Sequence, residues 1–264
     1  YEPFAAFLAD KGYMVVGHDH LGHGKTAKTP EDWGYFADGE SPEILIGDMN
    51  KLRTLSQEPD KPYFMLGHSM GSYLLRRYLS VYGGGLSGAV IMGTGANPDA
   101  VAKLGMAVCK AIAAFKGWKY RSPFMEKLFF SGDFQKFDMS GTHPENSWLT
   151  KDTEIVRFYY SEPRCTFKFT LKAYYDFLKT VYYVNRKENV EKIPKDLPIL
   201  MVAGDCDPVG EFGKAVKRVY EMYKADGIND VTLKLYENDR HEILNETDKE
   251  RVFDDIFNWC ESRQ

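Results

Sequence analysis

The stretch Gly67-His68-Ser69-Met70-Gly71 constrains the fold more than any other part of the chain. It fits G-x-S-x-G and lies between two elements of different periodicity. Before it, Pro62-Tyr63-Phe64-Met65-Leu66 is short, apolar and aromatic, as a buried strand is. After it, Ser72-Tyr73-Leu74-Leu75-Arg76-Arg77-Tyr78-Leu79 carries apolar residues at helical spacing. A strand that turns sharply into a helix needs glycine to relieve the turn, and the turn lifts its central residue above the sheet edge. The helix start then aims its amides at any negative charge that develops beside Ser69. A glycine-rich turn with an incidental serine has the same five letters, so the nucleophile reading requires partners downstream.

The flanking chain predicts the sheet into which this turn is set. Pro3 to Lys11 reads as a helix stopped by Gly12, and Tyr13-Met14-Val15-Val16-Gly17 as a buried strand. Ser41-Pro42-Glu43 opens a helix with a cap residue, an early proline and an early acid. Gly88-Ala89-Val90-Ile91-Met92-Gly93 is the next buried strand. Leu197 to Gly204 and Val231 to Tyr236 read as two more, with helices over Phe212–Lys224 and Lys249–Glu261. Strand and helix alternating at short intervals predict a parallel sheet with helices on both faces.

Between Ala96 and Val190 that alternation stops. Helical pieces appear instead, over Val101–Phe115, Thr153–Tyr160 and Phe169–Val184. Nineteen of the chain's 38 aromatic residues fall in this stretch, which makes it a candidate lid lining an apolar substrate pocket. The same aromatics would also serve to bury the insertion's own core. The expected organisation is a core of residues 1–95 and 191–264, with 96–190 as a helical insertion. No linker or charge run marks a separate domain.

A serine hydroxyl is a weak nucleophile at neutral pH and needs a base, held in turn by a third group. On a parallel sheet these partners should follow later strands, in the chain order serine, acid, histidine. Gly204-Asp205-Cys206-Asp207-Pro208-Val209-Gly210 follows one strand, and Glu237-Asn238-Asp239-Arg240-His241 follows the last. Asp207 is preferred over Asp205 because it lies farther into its loop, where it can reach a histidine; Asp205 is placed to brace the turn. His241 is preferred as base on position. His68 is inside the turn, His143 is in the insertion, and His18, His20 and His23 precede the serine. The backbone N–H of Met70 is the expected oxyanion donor. A second donor should come from a loop ahead of the first helix, upstream of Tyr1.

His18-Asp19-His20-Leu21-Gly22-His23-Gly24 invites a zinc reading. Ligand sets normally come with supporting carboxylates or cysteines elsewhere, so a polar strand-to-loop turn is the better reading and no metal is expected. The net charge of −4 gives no footprint for nucleic acid or an anionic membrane, and no apolar run reaches the length of a span, so no stable membrane anchor is expected. The four cysteines are scattered and lack C-x-x-C pairing, which fits free thiols in a reducing cytoplasm.

These motifs together resemble the α/β-hydrolase superfamily, in its monoacylglycerol lipase/lysophospholipase-like branch, the serine aminopeptidase S33 group. The carrying residues are Gly67–Gly71, His18–Gly24, Gly204–Val209 and Tyr236–His241. The resemblance implies Ser69 as nucleophile, Asp207 as orienting acid, His241 as base, a helical cap at 96–190 and no cofactor. It also implies N-terminal strands and a His-Gly oxyanion loop, which are apparently missing from this chain. Thr26 stands where the branch often has serine. The expected activity is cleavage of small lipid-like carboxylic esters, of the monoacylglycerol or lysophospholipid type. Two alternatives remain. One is an amidase or aminopeptidase, for which Glu126, Asp133 or Asp138 could hold a substrate amine. The other is a non-catalytic module of the same fold that binds a small ligand.

Overall fold

The computed structural model describes all residues from 1 to 264. Its sheet has four parallel strands in sequential order: β1 (Phe64–His68), β2 (Gly88–Met92), β3 (Ile199–Gly204) and β4 (Val231–Tyr236). His68 pairs in register with Met92, and Gly204 with Tyr236. All four strands therefore end on one edge of the sheet. The loops that leave it carry Ser69, Asp207 and His241, although 172 positions separate the first from the last.

Five long helices cover the sheet. In chain order the first three are α1 (Glu2–Asp10), α2 (Ser41–Ser56) and α3 (Met70–Tyr82). Six more follow between β2 and β3: α4 (Asp99–Lys116), α5 (Pro123–Phe129), α6 (Thr153–Ser161), α7 (Pro163–Thr166), α8 (Leu171–Val184) and α9 (Lys187–Val190). The last two are α10 (Lys214–Ala225) and α11 (Glu250–Glu261). Strand side chains alternate between two cores, as the period of two requires. Ala89, Ile91, Ile199, Met201 and Ala203 face Leu45 and Met49 of α2, Leu75 and Leu79 of α3, and Val216 and Val219 of α10. Val90, Met92, Leu200 and Val202 face Phe4 of α1 and Val252, Phe253 and Ile256 of α11. The central strands β2 and β3 are buried along their whole length, which is why their sequences are continuously apolar.

The insertion has a buried cluster of its own. Ala102, Cys109 and Ala113 of α4 pack on Leu171, Tyr174, Leu178 and Val181 of α8, with Tyr73 of α3 joining from the sheet layer. Arg76 of α3, 1% exposed, ties both ends of the insertion to the sheet layer. Its guanidinium donates to Thr94 Oγ1 and Gly95 O at one end, and to Val184 O and Asn185 Oδ1 at the other. No helix is long and apolar enough to cross a membrane. All four cysteines are unpaired.

Three sequence expectations need correction. Tyr13–Gly17 is not a strand, and its Met14, Val15 and Val16 are exposed at 61%, 43% and 39%. A strand exists only through its ladder, and this segment pairs with none of the four strands. The helix expected from Phe212 begins at Lys214, because Glu211, Phe212 and Gly213 all have positive φ (50°, 55° and 83°). Helix α2 begins at Ser41 itself and has no side-chain cap; the Ser41 hydroxyl donates instead to Ala37 O.

Candidate active site

Ser69 sits between β1 and α3 with φ 53° and ψ −124°, a conformation that side chains rarely adopt. Holding a non-glycine residue there costs on the order of 1–3 kcal/mol, so the surroundings must impose it. They do so by backbone and side-chain bonds. Ser69 N donates to Met92 O (3.0 Å), and Ser69 O accepts from both Ser72 N (2.8 Å) and Ser72 Oγ (2.6 Å). The chain also closes tightly on itself: a Cβ at Gly67 would lie 2.4 Å from Gly71 O. Met70 opens α3, and its amide is one of the first-turn N–H groups that a helix leaves without an internal acceptor.

Asp207 and His241 meet on the same edge. Asp207 is fully buried, and its Oδ1 accepts from Val209 N at 2.8 Å. Its Oδ2 lies 3.0 Å from His241 Nδ1, in a pair with 0% and 2% exposure. A carboxylate only accepts, so Nδ1 carries the hydrogen and the lone pair falls on Nε2. His241 Nε2 is buried and has no hydrogen-bond partner. Burial opposes charging this imidazole, but the Asp207 charge and hydrogen bond outweigh it and raise its pKa above the ordinary histidine value.

His68, next to Ser69 in the chain, has its ring 4.6 Å from that of His241. Its Nε2 donates to His241 O at 3.0 Å, and its Nδ1 accepts from the Tyr1 hydroxyl at 2.7 Å. Burial, and then the neighbouring His241, push its pKa down to about 3, so it is a neutral ring at working pH. Gly93 fits beside the two histidines. A Cβ there would come within 3.1 Å of both rings, and its φ of 59° also favours glycine.

The competing sequence candidates are engaged elsewhere. Asp205 Oδ1 accepts from Asn238 N (2.8 Å) and joins the loops after β3 and β4. The three histidines near the start do not converge on one point. His18 and His20 stack edge to face at 4.7 Å, while His23 lies among Phe36, Phe167 and Phe169. Burial and the other two histidines lower the His20 pKa to about 4. Asp19 accepts from Lys25 N (2.8 Å) and presses against Gly24. Glu126 pairs with Lys168 and Asp133 with Lys136, while Asp138 accepts from Ser140 and His143 N. His143 is exposed and faces Glu145.

One carboxylate cluster has ligand-like spacing: Asp239, Glu246 and Asp248. Cations of the chain already occupy it. Lys151 Nζ lies 2.7 Å from Asp239 and 3.6 Å from Asp248, and Arg251 lies 2.9 Å from both. Sequence reading passed over this cluster and over Trp148, whose indole lies 5.0 Å from the His241 ring. Neither carries a motif; only the fold brings Trp148 and Lys151 against the loop that holds His241 and these carboxylates.

The family model described as "Serine aminopeptidase, S33" matches residues 1–248. A monoacylglycerol lipase of Mycolicibacterium smegmatis is 25% identical over 269 residues, covering 99% of this chain and 83% of that protein. A monoglyceride lipase of Mus musculus is 26% identical over 274 residues, covering 100% of this chain and 78% of that protein. Among solved structures, a thermostable carboxyl esterase from Bacillus coagulans, in complex with glycerol, superposes with a TM-score of 0.88 at 30% identity. It covers 100% of this chain and 85% of that one. The parallel sheet with helices on both faces is an α/β-hydrolase fold, and the chain belongs to the serine aminopeptidase S33 family.

Proposed function

We propose that this protein is a serine hydrolase that cleaves carboxylic esters of lipid-like substrates, of the monoacylglycerol or lysophospholipid type, through an acyl-enzyme intermediate. The observation that carries the reading is the buried Asp207–His241 hydrogen bond. It leaves Nε2 without a partner, and the imidazole lies 4.6 Å from the ring of His68, the residue that precedes the strained Ser69. In this reading Ser69 Oγ attacks the ester carbonyl carbon while His241 Nε2 takes its proton. Asp207 holds the Nδ1–H tautomer and stabilises the imidazolium. The oxyanion that forms faces the Met70 amide. Collapse breaks the ester C–O bond, and the leaving alkoxide takes the proton from Nε2. Water then attacks the acyl carbon, its proton passes through Nε2 to Ser69 Oγ, and the carboxylic acid leaves. Each proton and charge in these steps has a named group of the chain to carry it, with no cofactor or metal.

Ester hydrolysis agrees with what the relatives are named for. The insertion supports a lipid-like substrate. In this reading residues 96–190 form the cap over a core of 1–95 and 191–264, and the segment presents large apolar side chains to solvent. Leu104 and Phe115 on α4, Phe124 on α5 and Phe158 on α6 are each more than 60% exposed or close to it. Glu126, Asp133 and Asp138, the carboxylates an aminopeptidase would offer to a substrate amine, are instead tied to their own neighbours. The test is hydrolysis of aryl esters from acetate to laurate, of a monoacylglycerol and of an amino-acid anilide. The expected order is longer acyl esters over acetate, with the anilide far behind. Ser69→Ala should lower ester turnover by several powers of ten, on the scale of other triads. A loss under about tenfold would remove the nucleophile reading.

A further inference from the structure

The base loop is fastened to a short strap of the insertion. Two backbone bonds join them: His241 N donates to Trp148 O (3.3 Å) and Glu242 N to Leu149 O (2.7 Å). The Arg240 guanidinium donates to the carbonyls of Ser147, Thr150 and Glu145. The buried Glu246 carboxylate accepts from Arg240 N, Lys151 N and Thr150 Oγ1 at 2.8–3.0 Å, and so joins both sides. Lys151 Nζ reaches Asp239 at 2.7 Å. Ser147, Trp148, Leu149 and Thr150 are all buried, as are Asp239, His241 and Glu246. This part of the insertion is built into the sheet edge.

The strap presents Trp148 to the base. The indole lies 5.0 Å from the His241 imidazole at an interplanar angle of 31°, and His68 lies 4.6 Å away at 37°. Phe134 packs edge-on against the indole at 5.3 Å. The bond to Asp207 fixes only one end of the imidazole. A ring held at one nitrogen can still turn about that bond, and a turn swings Nε2 away from its target. Close packing by neighbouring rings fixes the plane. The indole also keeps water off a hydrogen bond that is stronger where water is excluded. Its π face favours the imidazolium formed when the proton arrives.

We infer that Trp148 is a positioning residue for His241, holding the plane of the base and shielding its bond to Asp207. The inference rests on the Ser69–His241–Asp207 reading above. The test compares wild type with Trp148→Phe, which keeps a ring face, and Trp148→Met, which keeps an unbranched apolar side chain without one. Three quantities are read: the rate of Ser69 labelling by a fluorophosphonate, kcat and KM for a short soluble aryl ester, and the low-field proton resonance of His241 Nδ1–H.

In Trp148→Met, labelling and kcat should fall by about tenfold or more, as misplaced reacting groups do, with KM changed less than about twofold. The Nδ1–H resonance should broaden through faster exchange with water. Trp148→Phe should recover most of the rate and the sharp resonance. If Trp148→Met fails to fold, the Phe variant decides: a modest loss of rate with a partly broadened resonance supports the role. Wild-type rates and an unchanged resonance in whichever variants fold overturn it. A wild-type chain that is not labelled at Ser69 overturns the underlying reading, and this inference with it.

Discussion

At the residue scale, Asp205 and Asp207 stand two positions apart but do different work. Asp207 is buried and bonded to His241, while Asp205 accepts a backbone N–H across two loops. Asp207→Asn should therefore lower kcat by on the order of 10³–10⁴, because the amide no longer enforces the Nδ1–H tautomer. Asp205→Asn keeps an accepting oxygen and should lower it by less than about threefold. The raised pKa of His241 sets the pH dependence. In its proposed role as base His241 must be neutral, so kcat/KM should rise through a midpoint above the ordinary histidine value of about 6.5, and a midpoint below it would contradict the assignment. Stability runs the other way. A raised folded pKa stabilises fully below the unfolded value, and the effect is lost as pH rises through the folded one. The Tm advantage of wild type over His241→Gln should accordingly shrink from pH 5.5 to pH 8. That Ser69, Asp207 and His241 each follow a strand, in the order the proposed triad needs, could be read from sequence. Trp148 could not, since an aromatic in an aromatic-rich insertion carries no signal of what it touches.

At the element scale, the turn between β1 and α3 separates two glycines that the G-x-S-x-G pattern treats alike. Gly67 has backbone of Gly71 and the Leu75 Cβ within 3 Å of where its own Cβ would be, whereas a Cβ on Gly71 meets nothing within 4 Å. Gly67→Ala should destabilise the fold by more than about 2 kcal/mol in urea unfolding. Gly71→Ala should leave stability within about 1 kcal/mol of wild type. The four paired strands were legible because fully buried strands are continuously apolar and are bounded by glycine or proline. The Tyr13–Gly17 stretch has the same composition, yet it is unpaired and its Met14, Val15 and Val16 are exposed, because composition reports what a strand would bury and not whether it finds a ladder. The late start of α10 was hidden for a related reason. Positive φ at Glu211 and Phe212 is imposed by the turn around Asp207, where Phe212 N donates to Asp207 O, and neither residue advertises it.

On the scale of the whole molecule, several contacts hold the insertion to the sheet layer, among them Arg76 near its two ends, Tyr73 beneath its own core, and the 145–151 strap at the His241 loop. Arg76→Met would leave four acceptors without their donor, two of them buried carbonyls. It should cost about 1–3 kcal/mol in urea unfolding and expose the segments around Gly95 and Asn185 to limited proteolysis. That the segment after β2 is helical was legible from the loss of alternation after Ala96. Its attachment was not, because a buried arginine that donates to carbonyls pairs with backbone, which has no sequence signature. The central claim, that Ser69, His241 and Asp207 act as one nucleophilic unit, is tested most directly by intact-mass analysis of the chain after exposure to a fluorophosphonate. A single adduct is expected on wild type, none on Ser69→Ala, and much slower labelling of His241→Gln. An adduct of equal extent on Ser69→Ala, or no adduct on wild type, would contradict it.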